Sequence, residues 1–525
     1  MSDLETASGR RLVRNHFKGS LARRRGCQIA MAIAGVAGLH STANAALTNE
    51  TWTAAGGATA TATWEVASNW TPNTAYPNSY IYEAVFINSN YAQNVVLSAA
   101  SDTTNIIHFA SSAGSYTFTG GTLTLDSDST GSAQNPISAL NQSGTAITFD
   151  NNVIIQNSGT GASQFQITEA TTGSFVGGAL TFNGLLNYTV ASSGTPLSLL
   201  VQNGGVINAN GTVTLTNGYI GAEYDGSGTG GTVNLNPLNP TTTGITHLSV
   251  GGGSLSGAAV TLNLGTNLTL GSSATVFIGE GAFASSYQTG TANFNMTGNG
   301  DTLSAGTLTF SDNGGTLTTD TFRFGSNYSG TTTNTFTGVV TLPVGSGDQQ
   351  TYILSAAANN TLSFGTDAIS GGIYAGANTN QSLVINGPGT VTFGGASSYL
   401  TPTSFSSTGG TLVASGAAAY GSGTLAGTLK TAPIGVGPLI LANGTFEDSG
   451  TALTIVNAVN LGGTATLGDA TAVAGTGLTF GPGSLNAAHQ SPVTLTGNGT
   501  LNVTNTTLIS DVITDNAGGY AFNKS

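Results

Sequence analysis

The chain has 525 residues, 77 of them Gly and only 33 charged, 10 Lys or Arg against 23 Asp or Glu. Gly is about twice and charge about a quarter of its usual share, which excludes an ordinary mixed α/β enzyme. After Ala45 only Arg323, Lys430 and Lys524 stand against 21 acids, a formal 3 − 21 = −18, so nucleic acid and anionic membrane surfaces are poor partners.

The first 45 residues have the pattern of a secretion signal. Basic residues ending in Arg23, Arg24 and Arg25 precede the apolar run Ile29-Ala-Met-Ala-Ile-Ala-Gly-Val-Ala-Gly-Leu39 and the small-residue site Ala43-Asn44-Ala45. The run is 11 residues long, against roughly 20 for a membrane-spanning helix. Cleavage is expected after Ala45, and no transmembrane segment is expected in the mature chain. The sole cysteine, Cys27, lies before the apolar run. It is lost with the signal, which excludes a lipoprotein anchor, disulfides and thiolate-bound metal.

Residues 46–75 are expected to form a cap. They hold all three tryptophans, Trp52, Trp64 and Trp70. An aromatic plug over the open first coil would block end-to-end strand pairing. The functional alternative is a platform on which sugars stack.

From residue 76 onward apolar and polar residues alternate with period two, the pattern of strands with one buried face. The motif Gly-Thr-apolar-Thr/Asn-apolar recurs at Gly121, Gly211, Gly231, Gly306, Gly389, Gly463 and Gly499. Thr and Asn suit a pleated outer face, Leu, Val and Phe an inner one. The shortest gaps, 211 to 231 and 389 to 410, are 20 and 21 residues, the length of one solenoid coil. The expectation is an all-β parallel β-solenoid over 76–525. It would have roughly 20 coils of 20–25 residues and a length on the order of 100 Å. An array of immunoglobulin-like sandwiches would need a buried Trp in each domain, whereas every Trp here lies at the start.

Trp64-Glu-Val-Ala-Ser-Asn69-Trp70, Pro77, Ala84-Val-Phe86 and Gly121-Thr-Leu-Thr-Leu125 follow the order of a known N-terminal segment. The stretch Gly387-Pro-Gly-Thr-Val-Thr-Phe-Gly-Gly-Ala-Ser398-Tyr399, followed by Gly410-Thr-Leu412, follows that of a known repeat. Both resemble the autotransporter-associated β-strand repeat family of bacterial surface proteins, over about 114 residues, 52–126 and 386–424. Ser398 stands where that family has Asn, and Thr401 where it has Gly. Ile509-Ser-Asp-Val-Ile513 and Phe522-Asn-Lys-Ser525 look like the lead-in to a further repeat, as in the N-terminal piece of a longer protein. The resemblance implies a right-handed parallel β-helix displayed at, or released from, a Gram-negative-type cell surface. Members usually end in a translocating barrel or a sorting tail, and neither pattern closes this chain.

Secreted solenoid enzymes acting on polysaccharides supply the rival reading, since hydrolysis needs two carboxylates flanking the scissile bond. The close acid pairs are Asp126/Asp128, Glu223/Asp225 and Glu447/Asp448, with Lys430 the one nearby cation. Residues two apart share a strand face, while adjacent ones oppose. Asp126-Ser-Asp128-Ser-Thr-Gly131 copies half an EF-hand loop but has Ile137 where the closing acid belongs. His108, His247 and His489 show no metal spacing, and no Gly-x-Ser-x-Gly elbow presents a serine. Gly226, Gly228 and Gly231 spell a dinucleotide fingerprint, yet a strand pattern follows where a helix should start. No catalytic, cofactor or metal residue is therefore assigned. The expected function is a non-enzymatic, exported stalk or passenger for display, adhesion or matrix contact. It is expected to be a monomeric rod that meets glycans or cell surfaces, with a lectin-like binder as a third reading.

Overall fold

The computed structural model describes residues 47–525 except 127–133, 140–144, 157–164, 170–176, 190–195, 225–229, 237–244, 253–258, 280–290, 311–318, 343–348, 372–380, 421–428, 470–476, 482–492 and scattered one- or two-residue positions. The expected signal, 1–45, lies outside the described residues. The alternating pattern folds into a parallel β-solenoid. Of the described strands, 39 join one sheet system that winds around a single core. The only helical element among the described residues is one 3-10 turn, Ala67–Asn69. No helix there is long and apolar enough to cross a membrane.

Each coil has three sides. In one, strands Ala146–Phe149, Val153–Gln156 and Phe165–Glu169 follow one another. They pair in parallel with Ala179–Phe182, Leu186–Thr189 and Pro196–Val201 of the next coil. The register puts Ile147 beside Leu180, Ile155 beside Tyr188 and Ile167 beside Leu199, all buried. Polar side chains alternate outward, as period-two geometry requires. Inside, Phe118, Phe149 and Phe182 stack in a column, with ring centroids 4.8 and 5.3 Å apart. Such pairs add to the burial that replaces the missing disulfides.

The coil is longer than the motif gaps predict. One inner row runs Ile147, Leu180, Ile207, Val233, Leu262, Phe294, Phe324, Leu354, Ile385. Its steps range from 233 − 207 = 26 to 180 − 147 = 33 residues. The expected 20-residue coil from 211 to 231 fails for a definite reason. Strand Val213–Thr216 pairs with Leu186–Thr189, and Thr232–Leu235 pairs with Val206–Ala209, so the two motifs lie on different sides of adjoining coils, less than a full turn apart. The gap from 389 to 410 is a true coil, because Thr390 pairs with Thr411.

The corners explain the motif glycine. A Cβ on Gly211 would sit 1.9 Å from the carbonyl oxygen of Gly184, which occupies the corner of the preceding coil. Corners stacked this closely admit no side chain.

Candidate functional site

The N-terminal end is built differently from the coils that follow. Strand Thr48–Trp52 pairs in parallel with Tyr82–Phe86 on one edge and antiparallel with Trp70–Thr71 on the other. The chain thus folds back over its own first edge. Trp52, Trp64 and Trp70 are wholly buried, with centroids 4.9 Å (Trp52 to Trp70) and 4.7 Å (Trp64 to Trp70) apart in edge-on contacts. Their indole N–H groups donate to the carbonyls of Ala92, Pro77 and Trp64 respectively, at 2.7–2.9 Å. Rings so enclosed offer no face to a sugar. The stacking-platform alternative is thereby overturned for these three residues.

Beneath the tryptophans lie acids that sequence reasoning missed. Glu65, next to Trp64, accepts a hydrogen bond from the Ala99 backbone N–H. Its carboxylate is in hydrogen-bond contact with Asp102 and Ser98. Asp102 is only 3% exposed and pairs in register with the core residue Leu123. Burial, then the hydrogen bond and charge of Glu65, push the Asp102 carboxyl up to about 7. Burial also acts to raise Glu65, but the bonds it accepts outweigh this and hold it below the usual range. Glu50 on the first strand is buried too, and burial raises it. No spacing in the sequence joins residues 65 and 102. Period-two alternation from Val95 and Leu97 would turn Asp102 and Thr104 outward, and it is the register shift between Leu97 and Ser101 that turns them in.

Along the coils the outward side chains form ladders. Asn208 donates to Thr181, Asn234 to Asn208, Asn263 to Asn234 and Asn295 to Asn263, at 2.7–3.1 Å. At the adjoining corners Asn183 donates to Asp150 and Asn210 to Asn183. Each amide supports the next, and hydroxyl and amide groups make up the run from Thr181 to Asn295.

Of the acids in the pairs singled out from sequence, those with described side chains are Asp126 on strand Tyr116–Asp126 and Glu447 and Asp448 on strand Thr445–Asp448, several coils apart. Asp126 is buried and accepts from Gln156 Nε2 at 2.9 Å, while Asp128 lies outside the described residues. The Glu223 side chain, Asp225 and the Lys430 side chain also lie outside them. Glu447 faces outward, whereas Asp448 is fully buried and accepts from the Gly450 N–H at 2.9 Å. Among the described residues no three His, Cys, Asp or Glu side chains group as metal ligands. His108 is a strand residue, as expected, and burial lowers its pKa. His247 stacks on Phe277 with centroids 5.4 Å apart, and burial lowers its pKa as well. His489, Gly226 and Gly228 are outside the described residues, and a strand, Thr232–Leu235, does follow Gly231. Arg323 lies in register between Asn293 and Ile353 on the ladder-bearing side.

The class defined by this geometry is a parallel β-solenoid with amide ladders on its outer face. Comparisons with protein-family models, with curated proteins and with solved structures return no match.

Proposed function

We propose that the chain is an exported bacterial surface protein, a β-helical stalk of the autotransporter-repeat kind that serves display, adhesion or matrix contact. The observation that carries this reading is the outward ladder from Thr181 to Asn295, whose amides bond to one another along the coils. A regular, self-satisfied polar face suits a spacer, whereas a catalytic cleft needs convergent, unevenly placed groups. The signal-like start and the scarcity of cations after Ala45 point the same way. A formal −18 on residues 46–525 favours neutral glycans or cell surfaces over anionic polymers.

Expression of the full chain in a Gram-negative host tests the reading. Mass spectrometry of the membrane and medium fractions should find a product beginning at Ala46 that external protease can reach. An intact chain beginning at Met1 and confined to the cytoplasm would overturn it.

A further inference from the structure

We propose that Glu65 and Asp102 share one proton and so latch the N-terminal cap to the coil beneath it, a latch that acid closes and alkali opens. Glu65 belongs to the turn after strand Thr61–Thr63, which leads into the fold-back segment, and Asp102 to strand Asn94–Thr104. Glu65 Oε2 and Asp102 Oδ2 are both buried and take no hydrogen bond from any N–H or O–H among the described residues. Two buried carboxylates in contact repel unless a positive charge lies between them. Among the described residues no Lys or Arg precedes Arg323, and no cation contributes to the shift of either carboxyl. A proton on Asp102, donated to Glu65, satisfies both.

The elements packed against strand Asn94–Thr104 are the strands Thr61–Thr63, Tyr82–Phe86 and Tyr116–Asp126. Their titratable groups are Tyr82, Glu83, Tyr116 and Asp126. The upward shift of Asp102 traces to burial and then to Glu65, and to none of these four. The sign follows from linkage. The folded state holds a proton that the unfolded chain releases near pH 4, so the latch is complete below that value and is lost as pH rises through about 7. Across that window the unfolding constant of the cap should rise by nearly tenfold per pH unit.

The cap carries its own reporter, because Trp52, Trp64 and Trp70 are the only tryptophans in the chain. Denaturant unfolding of the full chain, followed by tryptophan emission, should show a midpoint that falls between pH 5 and pH 8.5. Asp102→Asn, whose amide can donate to Glu65 at any pH, should cut that slope by about one proton and keep the higher midpoint at pH 8.5. Glu65→Gln removes the charge beside Asp102 but not its burial, so it should lessen the slope without abolishing it, which covers the case that Asp102→Asn does not fold. An unchanged slope in both variants would refute the latch. So would a wild-type midpoint at pH 8.5 that millimolar calcium chloride restores, since the bridge would then be a metal ion.

Discussion

The strands at the two ends of the described residues are both paired, one antiparallel and one parallel, yet they differ in burial. Trp52 and Trp70, in register across the antiparallel fold-back, are fully buried. Ile513, in parallel register with the buried Val493, is 53% exposed, and Val512 beside it is 62% exposed. Pairing therefore fixes which side of a strand a residue occupies, but not whether water reaches it. Cover comes from the element above, and at the N-terminal end the chain supplies it with aromatic volume and a strand run backwards.

The sharpest way to break the contrast is to remove that volume. Trp70→Ala should cost about 3–5 kcal/mol, the range for truncating a large buried aromatic. Emission from Trp52 and Trp64 should then shift to the red at low denaturant, before the far-ultraviolet circular dichroism of the strands is lost. Ile513→Ala on the exposed terminal strand should stay within about 1 kcal/mol. A smaller contrast concerns glycine. A Cβ on Gly121 would lie 1.9 Å from the Ala99 carbonyl oxygen, whereas one on Gly497 would meet nothing within 4 Å. Gly121→Ala should cost about 1–3 kcal/mol by overpacking. Gly497→Ala should be neutral in the same unfolding assay.

Smaller again is the ladder. Asn263→Ala leaves the Asn234 carbonyl and the Asn295 amide without their partner. The expected loss is about 1 kcal/mol, measured by thermal unfolding, because these half-buried groups can turn to water. The least effect is assigned to Glu50. Its raised pKa means that its contribution is complete below the ordinary carboxylate range and falls as pH climbs past it. In an Asp102→Asn background this should leave a residual drop in the cap midpoint toward alkaline pH, and Glu50→Gln should flatten it. An equal drop in the terminal coil would show that the acids of the cap are not its source.

Much of the architecture was legible because it rests on a local rule. Gly-Thr-apolar-Thr/Asn-apolar marks a strand leaving a corner, and Thr232–Leu235 and Thr390–Phe393 both form where it occurs. The coil length was not legible from the same signal. The motif marks any corner of a three-sided turn, so 211 and 231 read as the same corner one coil apart when they are different corners less than a turn apart. The carboxyl pair was hidden for a related reason. Glu65 and Asp102 meet only because a whole turn closes between them, and no pattern of spacing records that closure. For the tryptophans, a cap and a sugar platform share one composition, and only their enclosure separates the two.

The parallel strands have a mechanical consequence. Their hydrogen bonds lie along the winding axis, so tension applied to the two ends of residues 47–525 loads the coils in series, like links of a chain. Each link from Ile147 to Ile385 stores 26 to 33 residues, equivalent to roughly 90–120 Å of extended chain. Under load such a stalk would lengthen in discrete steps, absorbing a pull one coil at a time.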